Sequence, residues 1–356
     1  MFGNKVYELP LARDYVSRWS TAEAIRELLQ NAIDSPAPFE VKQTGDAMEI
    51  TSRGARLDPA TLVLGRTSKA EDVGSIGQFG EGYKLALLVL AREGKTIDVI
   101  NGKTIWRPEF RTSNQFGIET LHIVESKAET PLDGVQFFVR GLSGDEQSAI
   151  KQSCLLMQPV YADTIMTPHG DILPNMPGKL FVGGLFVCNT ELNFGYNLNP
   201  GEIELERDRQ TVAGFDLRWK TKDVWLSTMQ YDRIAELIEK DMPDVNLVQF
   251  GSPEILKEAC YKHFKQHHPG KVIAKDQEEL EALVKRGMTV YLSNGPAYYS
   301  QVRGSRSYQQ DKSVVPEQTP TEALAEWFNE NHKYMSRIPA SNFKKLLKRS
   351  EKWRIS

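Results

Sequence analysis

The chain has 356 residues, enough for two or three domains with a sizeable core, and its 44 basic against 47 acidic side chains leave a formal charge of −3. That balance promises no general affinity for nucleic acid, and three widely separated cysteines, Cys154, Cys188 and Cys260, favour reduced thiols over a disulfide framework. No run approaches the roughly eighteen apolar residues of a membrane span, and residues 1–11 lack the basic start and apolar stretch of a secretion signal, so a cytosolic chain with no membrane partner is expected.

The first firm element is a helix. Ser20 and Glu23 form a capping-box pair, and Pro36 ends the helix just after Asp34. Glu27, Asn31 and Asp34 recur at spacings of four and seven and share one face. An amide oxygen such as that of Asn31 suits magnesium, which takes oxygen ligands and keeps several waters. Glu27, one turn back, is placed to polarise an attacking water. Taken alone, such a face is more often the wet side of an amphipathic helix. Next come Ser52-Arg53-Gly54-Ala55-Arg56 and Gly65-Arg66-Thr67-Ser68-Lys69, and then the loop Gly77-Gln78-Phe79-Gly80-Glu81-Gly82. Its glycines let backbone approach phosphate oxygens, and it opens a helix over residues 83–93, closed by Gly94, whose first amides favour an anion.

Glu-x-x-x-Asn-x-x-Asp followed by Gly-x-x-Gly-x-Gly resembles the Bergerat ATP-binding fold of gyrase, the heat-shock chaperone ATPase, histidine kinases and MutL. The resemblance implies a two-layer α/β sandwich over residues 1–143, with Glu27 as general base and Asn31 as ligand of the magnesium that accompanies ATP. It makes Gly77, Gly80 and Gly82 the phosphate-side hinge of a lid over residues 58–82. Asp34, Gln78, Phe79 and Glu81 belong to the same motifs, and Lys69 and Lys84 would be phosphate contacts. The family's Asp-x-Gly-x-Gly box corresponds to Ser52, Gly54 and Arg56, and its Gly-Thr pair to Gly134-Val135. A serine hydroxyl accepts from adenine without charge, so relaxed base selectivity is expected. There is no Walker loop, and the first histidine, His122, follows the ATP motifs, which argues against histidine-kinase function.

Downstream, the apolar strand 135–139 suits burial on both faces, and residues 141–144 read as a hinge. A helix over 145–157, strand segments 179–182 and 185–188 around Gly183-Gly184, and a long helix over 216–240 follow. Residues 144–248 resemble, more loosely, the S5-like α/β transducer domain of the same ATPases. In that alignment Arg207 reaches the γ-phosphate, whereas the plain reading is a charge cluster neutralised by Glu204, Glu206 and Asp208.

Residues 249–304 suggest a small α/β domain, with a β-α-β element over 271–292 and a turn at Asn294-Gly295-Pro296. Cys260, His263 and His267 share a helical face there, but no fourth ligand completes a zinc set. Residues 305–319 read as a linker within a 305–356 segment, leading to helices over 322–331 and 341–354. The last helix is basic: Lys344, Lys345, Lys348, Arg349, Lys352 and Arg354 interleave with Phe343 and Trp353. The expectation is an ATPase, similar in part to the rIIA and MORC types, in which magnesium ATP closes the lid and drives domain docking or homodimerisation for an unnamed protein client. A nucleotide-gated scaffold without hydrolysis and a nucleic-acid clamp are the competing readings.

Overall fold

The computed structural model describes residues 5–63, 82–159, 161–204, 214–311 and 320–350. The chain is α/β and divides into two compact units, Met1–Thr228 and Met229–Ser356. In chain order the first unit runs β1 (Lys5–Ala12), α1 (Thr21–Ile33), β2 (Phe39–Thr44), β3 (Ala47–Arg53), α2 (Gly82–Arg92), β4 (Thr96–Asn101), β5 (Thr104–Thr112), β6 (Glu119–Lys127) and β7 (Gly134–Arg140). It continues with α3 (Gly144–Ser153), β8 (Ile165–Thr167), β9 (Gly170–Leu173), β10 (Lys179–Val182), β11 (Leu185–Asn189), β12 (Gly195–Leu198) and α4 (Gly214–Ser227).

Strands β1 to β7 form a seven-stranded antiparallel sheet in the order β1-β6-β5-β4-β7-β3-β2. Strand alternation decides which side is covered. Met48, Ile50, Val99, Val135, Phe137 and Val139 share a core with Ala24, Ile25, Leu28 and Leu29 of α1 and Ala86, Leu87, Val89 and Leu90 of α2. The helices therefore form a second layer on one face. Strand β7 corrects the expectation of burial on both sides: Gln136, Phe138 and Arg140 are only half-buried. Arg140 stacks on Phe138, its guanidinium carbon 5.0 Å from the ring centroid, and donates to Asp98 (2.8 Å). A guanidinium covers that aromatic face where a second helix layer would otherwise be needed.

A five-stranded sheet, ordered β11-β10-β12-β9-β8, completes the unit, with β10 parallel to β12 and the other pairs antiparallel. Gly183 and Gly184, at φ +57° and +82°, make the expected tight turn between β10 and β11. The helix expected over 145–157 stops at Ser153. Cys154 turns extended to bridge Leu185, and a 3₁₀ turn over Leu155–Met157 follows. Leu185 and Cys154 join the core of the larger sheet.

The second unit comprises α5 (Tyr231–Glu239), α6 (Glu254–His267), β13 (Val272–Ala274), α7 (Gln277–Lys285), β14 (Val290–Leu292), α8 (Pro296–Gly304), α9 (Arg306–Gln310), α10 (Pro320–Asn331) and α11 (Arg337–Ser350). The β-α-β element is present as parallel β13 and β14 joined by α7. The unit boundary falls between 228 and 229, whereas the sequence suggested 143/144, 248/249 and 304/305. The single helix expected over 216–240 is two. Ser227 and Thr228 hydroxyls bond the carbonyls of Val224 and Trp225, and Met229 takes φ +55°.

The expected linker is partly built structure. Buried Ser305 caps α9, and Tyr308 packs edge-on against Tyr261, whose hydroxyl donates to Asp311. Among the described residues no helix is long and apolar enough to cross a membrane.

Candidate functional site

Helix α1 carries the first half of the motif. The Ser20 and Glu23 capping box is formed as expected, and Asp34 stands just beyond the last turn as the C-cap, its N–H bonded to Gln30 O (2.9 Å). The face bearing Glu27 is not a wet one: Glu27 is only 4% exposed, and Gln30 is buried beside it in sequence. Arg26 Nη1 lies 3.5 Å from Glu27 Oε1 and Arg26 Nε donates to Phe186 O of β11 (3.1 Å). Asn31 Nδ2 donates to Glu27 O (2.8 Å), leaving its amide oxygen outside this bond.

The second half of the motif meets the first at Gly82. A Cβ built on Gly82 would collide with Glu27 Oε2 and lie 3.4 Å from Asn31 Nδ2. Only a glycine lets the start of α2 come this close to the carboxylate and amide. Residues separated by more than fifty positions in sequence thus meet in one corner, with the Glu27 carboxylate and the Asn31 amide nitrogen facing Gly82. The chemistry of these side chains suits a hard cation, since Glu27 is a buried carboxylate and the Asn31 amide oxygen is left outside its bond to Glu27 O. Gly77, Gln78, Phe79, Gly80, Glu81 and Lys69 lie outside the described residues, as does Arg207.

Residues 58–63 are fastened to the first turn of α2. Asp58 caps a 3₁₀ turn over Pro59–Leu62. The Thr61 and Tyr83 hydroxyls are 2.7 Å apart, and burial pushes the Tyr83 phenol up to about 12 against the opposing hydrogen bond from Thr61. Lys84, expected as a phosphate contact, is fully buried and donates Nζ to the carbonyls of Thr61 (2.7 Å) and Val63 (2.8 Å). An ammonium removed from water needs such acceptors. In this structure Lys84 acts as a clamp holding together the two flanks of the 64–81 segment.

The base-side residues lie at the ends of β3 and β7. Ser52 pairs directly with Val135, and Arg53 with Gly134, so the two positions read as the adenine-recognition pair are cross-strand neighbours on the helix-covered face. Gly134, at φ +150°, has the Ser52 carbonyl where a Cβ would be, and Gly54, at φ +74°, donates its N–H to Asp133 O. Arg56 does not crowd this turn: its guanidinium pairs with Asp133 (2.9 Å) and reaches over Gly102.

Asn101 was not legible as a site residue, because it precedes the Gly102-Lys103 hairpin turn and reads as turn chemistry. In the fold it pins residue 57 at both ends, accepting from Leu57 N (3.1 Å) and donating to Leu57 O (2.7 Å). Arg26 was equally invisible, since a lone cation beside a glutamate on a helix reads as solvated.

The other titratable cluster lies in the second unit. Glu239 accepts from His263 (2.7 Å) and His268 (2.6 Å) through separate oxygens. Cys260 is buried, and burial pushes its thiol well above the usual range. Among the described residues no cluster of three or more histidine, cysteine, aspartate or glutamate side chains is arranged to hold a metal ion.

No family model matches the chain. An uncharacterized protein of Mycoplasma pneumoniae is 22% identical over 219 residues, spanning 56% of this chain and 89% of that protein.

Proposed function

We propose that the first unit binds magnesium ATP in the corner formed by Glu27, Asn31 and Gly82 and hydrolyses it, as a Bergerat-type conformational switch. The observation that carries this reading is the convergence of the two motif halves on Gly82, at a spacing that a substituent on its Cα would fill. Asn31 would hold the cation through its amide oxygen. Magnesium, when bound there, would offset the negative charge that develops on the phosphate oxygens. Glu27, 4% exposed, accepts the proton of the attacking water in this reading, its carboxylate held in a buried setting. Arg26 orients that carboxylate and links it to β11. The cross-strand pair Ser52 and Val135 would face the base with a neutral acceptor and no threonine hydroxyl, which favours relaxed base selectivity.

Closure of the 58–82 segment, docking of Arg207 from an S5-like transducer element and ATP-driven homodimerisation complete the proposed cycle.

Glu27→Ala tests it. Calorimetry should show ATP binding retained, while steady-state phosphate release falls by roughly 10²–10⁴, the usual loss for a general base. Unchanged turnover in folded Glu27→Ala protein would rule out this base. Binding without turnover in the natural protein would select the nucleotide-gated scaffold instead.

A further inference from the structure

We propose that β2 is a self-complementary sheet edge through which two copies of the chain pair antiparallel, joining their seven-stranded sheets into one. Among the described residues the sheet has two edge strands, β1 and β2. Strand β1 is blunted, carrying Pro10 and a register irregularity between Leu9 and Ala12, features that discourage pairing. Strand β2, Phe39-Glu40-Val41-Lys42-Gln43-Thr44, has neither.

The backbone phase of β2 is fixed by one bond. Arg53 N–H donates to Pro38 O (2.8 Å), directly across the ladder in which Phe39 faces Ser52. Antiparallel strands alternate, so Glu40, Lys42 and Thr44 turn their backbone groups toward β3. Phe39, Val41 and Gln43 therefore turn N–H and C=O to the open edge. A two-fold axis at Val41 matches every one of these donors to an acceptor: Val41 meets Val41 of the second copy, and Phe39 meets Gln43. An isologous contact of this kind closes at a dimer.

Side chains select the same register. On the face away from the helices, an axis at Val41 sets Glu40 opposite Lys42 of the second copy, and Lys42 opposite its Glu40. Moving the axis to Glu40 or Lys42 would keep the backbone phase but set Glu40 opposite Glu40, or Lys42 opposite Lys42, of the second copy and so bring like charges together. Within one copy Glu40 and Lys42 already lie 3.1 Å apart, but at 48% and 59% exposure that pair contributes little and is free to re-pair. On the helix side, the edge borders a groove of about 450 Å³ lined by Val41, Gln43, Gln147, Lys151, Leu156 and Met157. Leu156 is 60% exposed there, and Phe39 of the second copy would enter beside it.

The test uses the full chain without nucleotide, so its outcome is separate from that of the ATP proposal. Sedimentation velocity across a concentration series should show a monomer–dimer equilibrium. Lys42→Glu and Glu40→Lys each set like charges across the axis and should raise the dimer dissociation constant roughly tenfold or more. The double reversal should restore the dimer, and an equimolar mixture of the two single variants should form a heterodimer. Val41→Pro removes the central outward N–H, which the parent sheet does not use, and should give a folded monomer by circular dichroism. A natural chain that stays monomeric throughout the series would overturn the proposal. So would a dimer indifferent to both single reversals and to Val41→Pro.

Discussion

At Gly82 two opposing effects can be weighed. Alanine in the first turn of α2 would gain about 1 kcal/mol of helix propensity, while forcing the Glu27 carboxylate aside costs roughly 1–3 kcal/mol. Gly82→Ala should therefore shift the melting temperature only modestly, yet reduce phosphate release sharply, because the displaced group is the proposed base. Natural turnover in that variant would mean that the carboxylate does not act from this position. The same residue shows what a motif can and cannot convey. Spacing along α1 put Glu27 and Asn31 on one face, but whether that face met water or protein depended on a chain segment fifty residues away.

Among elements, the cap of α3 ties the site's supports together. Glu146 closes the capping box with Ser143 and also bonds Lys95, just after α2, at 2.7 Å. Burial opposes its ionisation, but hydrogen bonds from Lys95, Thr21 of α1 and the Ser143 N–H outweigh that and hold the carboxyl down at about 2. Its folded value lies below the ordinary 4.5, so it contributes stability fully present above pH 4.5 and lost as the pH falls toward 2. Glu146→Gln should be less stable than the natural chain near neutrality, with the gap in unfolding free energy narrowing across that acid window. A gap independent of pH down to 2 would show that the carboxylate charge contributes nothing. Where a cap was readable, as for α1 and α2, the helix end was legible because caps are local chemistry. Ser20 caps α1 where the sequence placed a helix start, and Gly94 closes α2 with bonds from Gly94 N to Ala91 O and Lys95 N to Leu90 O.

For the whole molecule, the proposed switch predicts a difference between nucleotides. A cation arriving from elsewhere in the chain shifts an equilibrium only if it touches one state more than the other. Arg207→Ala should leave ADP affinity nearly unchanged, weaken binding of a non-hydrolysable ATP analogue, and abolish analogue-induced compaction in small-angle scattering. Equal losses for both nucleotides would assign Arg207 to folding or to an ordinary charge cluster. Compaction belongs to this cycle, whereas pairing through β2 requires no nucleotide, so scattering and sedimentation report on separate events.

Periodicity and end signals were enough to determine the capped start of α1, the Gly183-Gly184 hairpin and the β13-α7-β14 element, because each is decided by residues within a few positions of one another, whereas the α/β sandwich of the first unit was implied by the family resemblance. The family resemblance, not local periodicity, brought Glu27, Asn31 and the glycine loop together as one candidate site. Tertiary structure alone decided that Glu27 is buried, that Lys84 clamps carbonyls, that Arg56 is taken up by Asp133, and that Asn101 pins Leu57. It also decided that β7 is covered on one side and that the helix over 216–240 breaks at Met229. The physical reason is the same in each case: hydrogen-bond partners and burial depend on which segments the fold brings into contact, and nothing in the local sequence of either segment specifies the other.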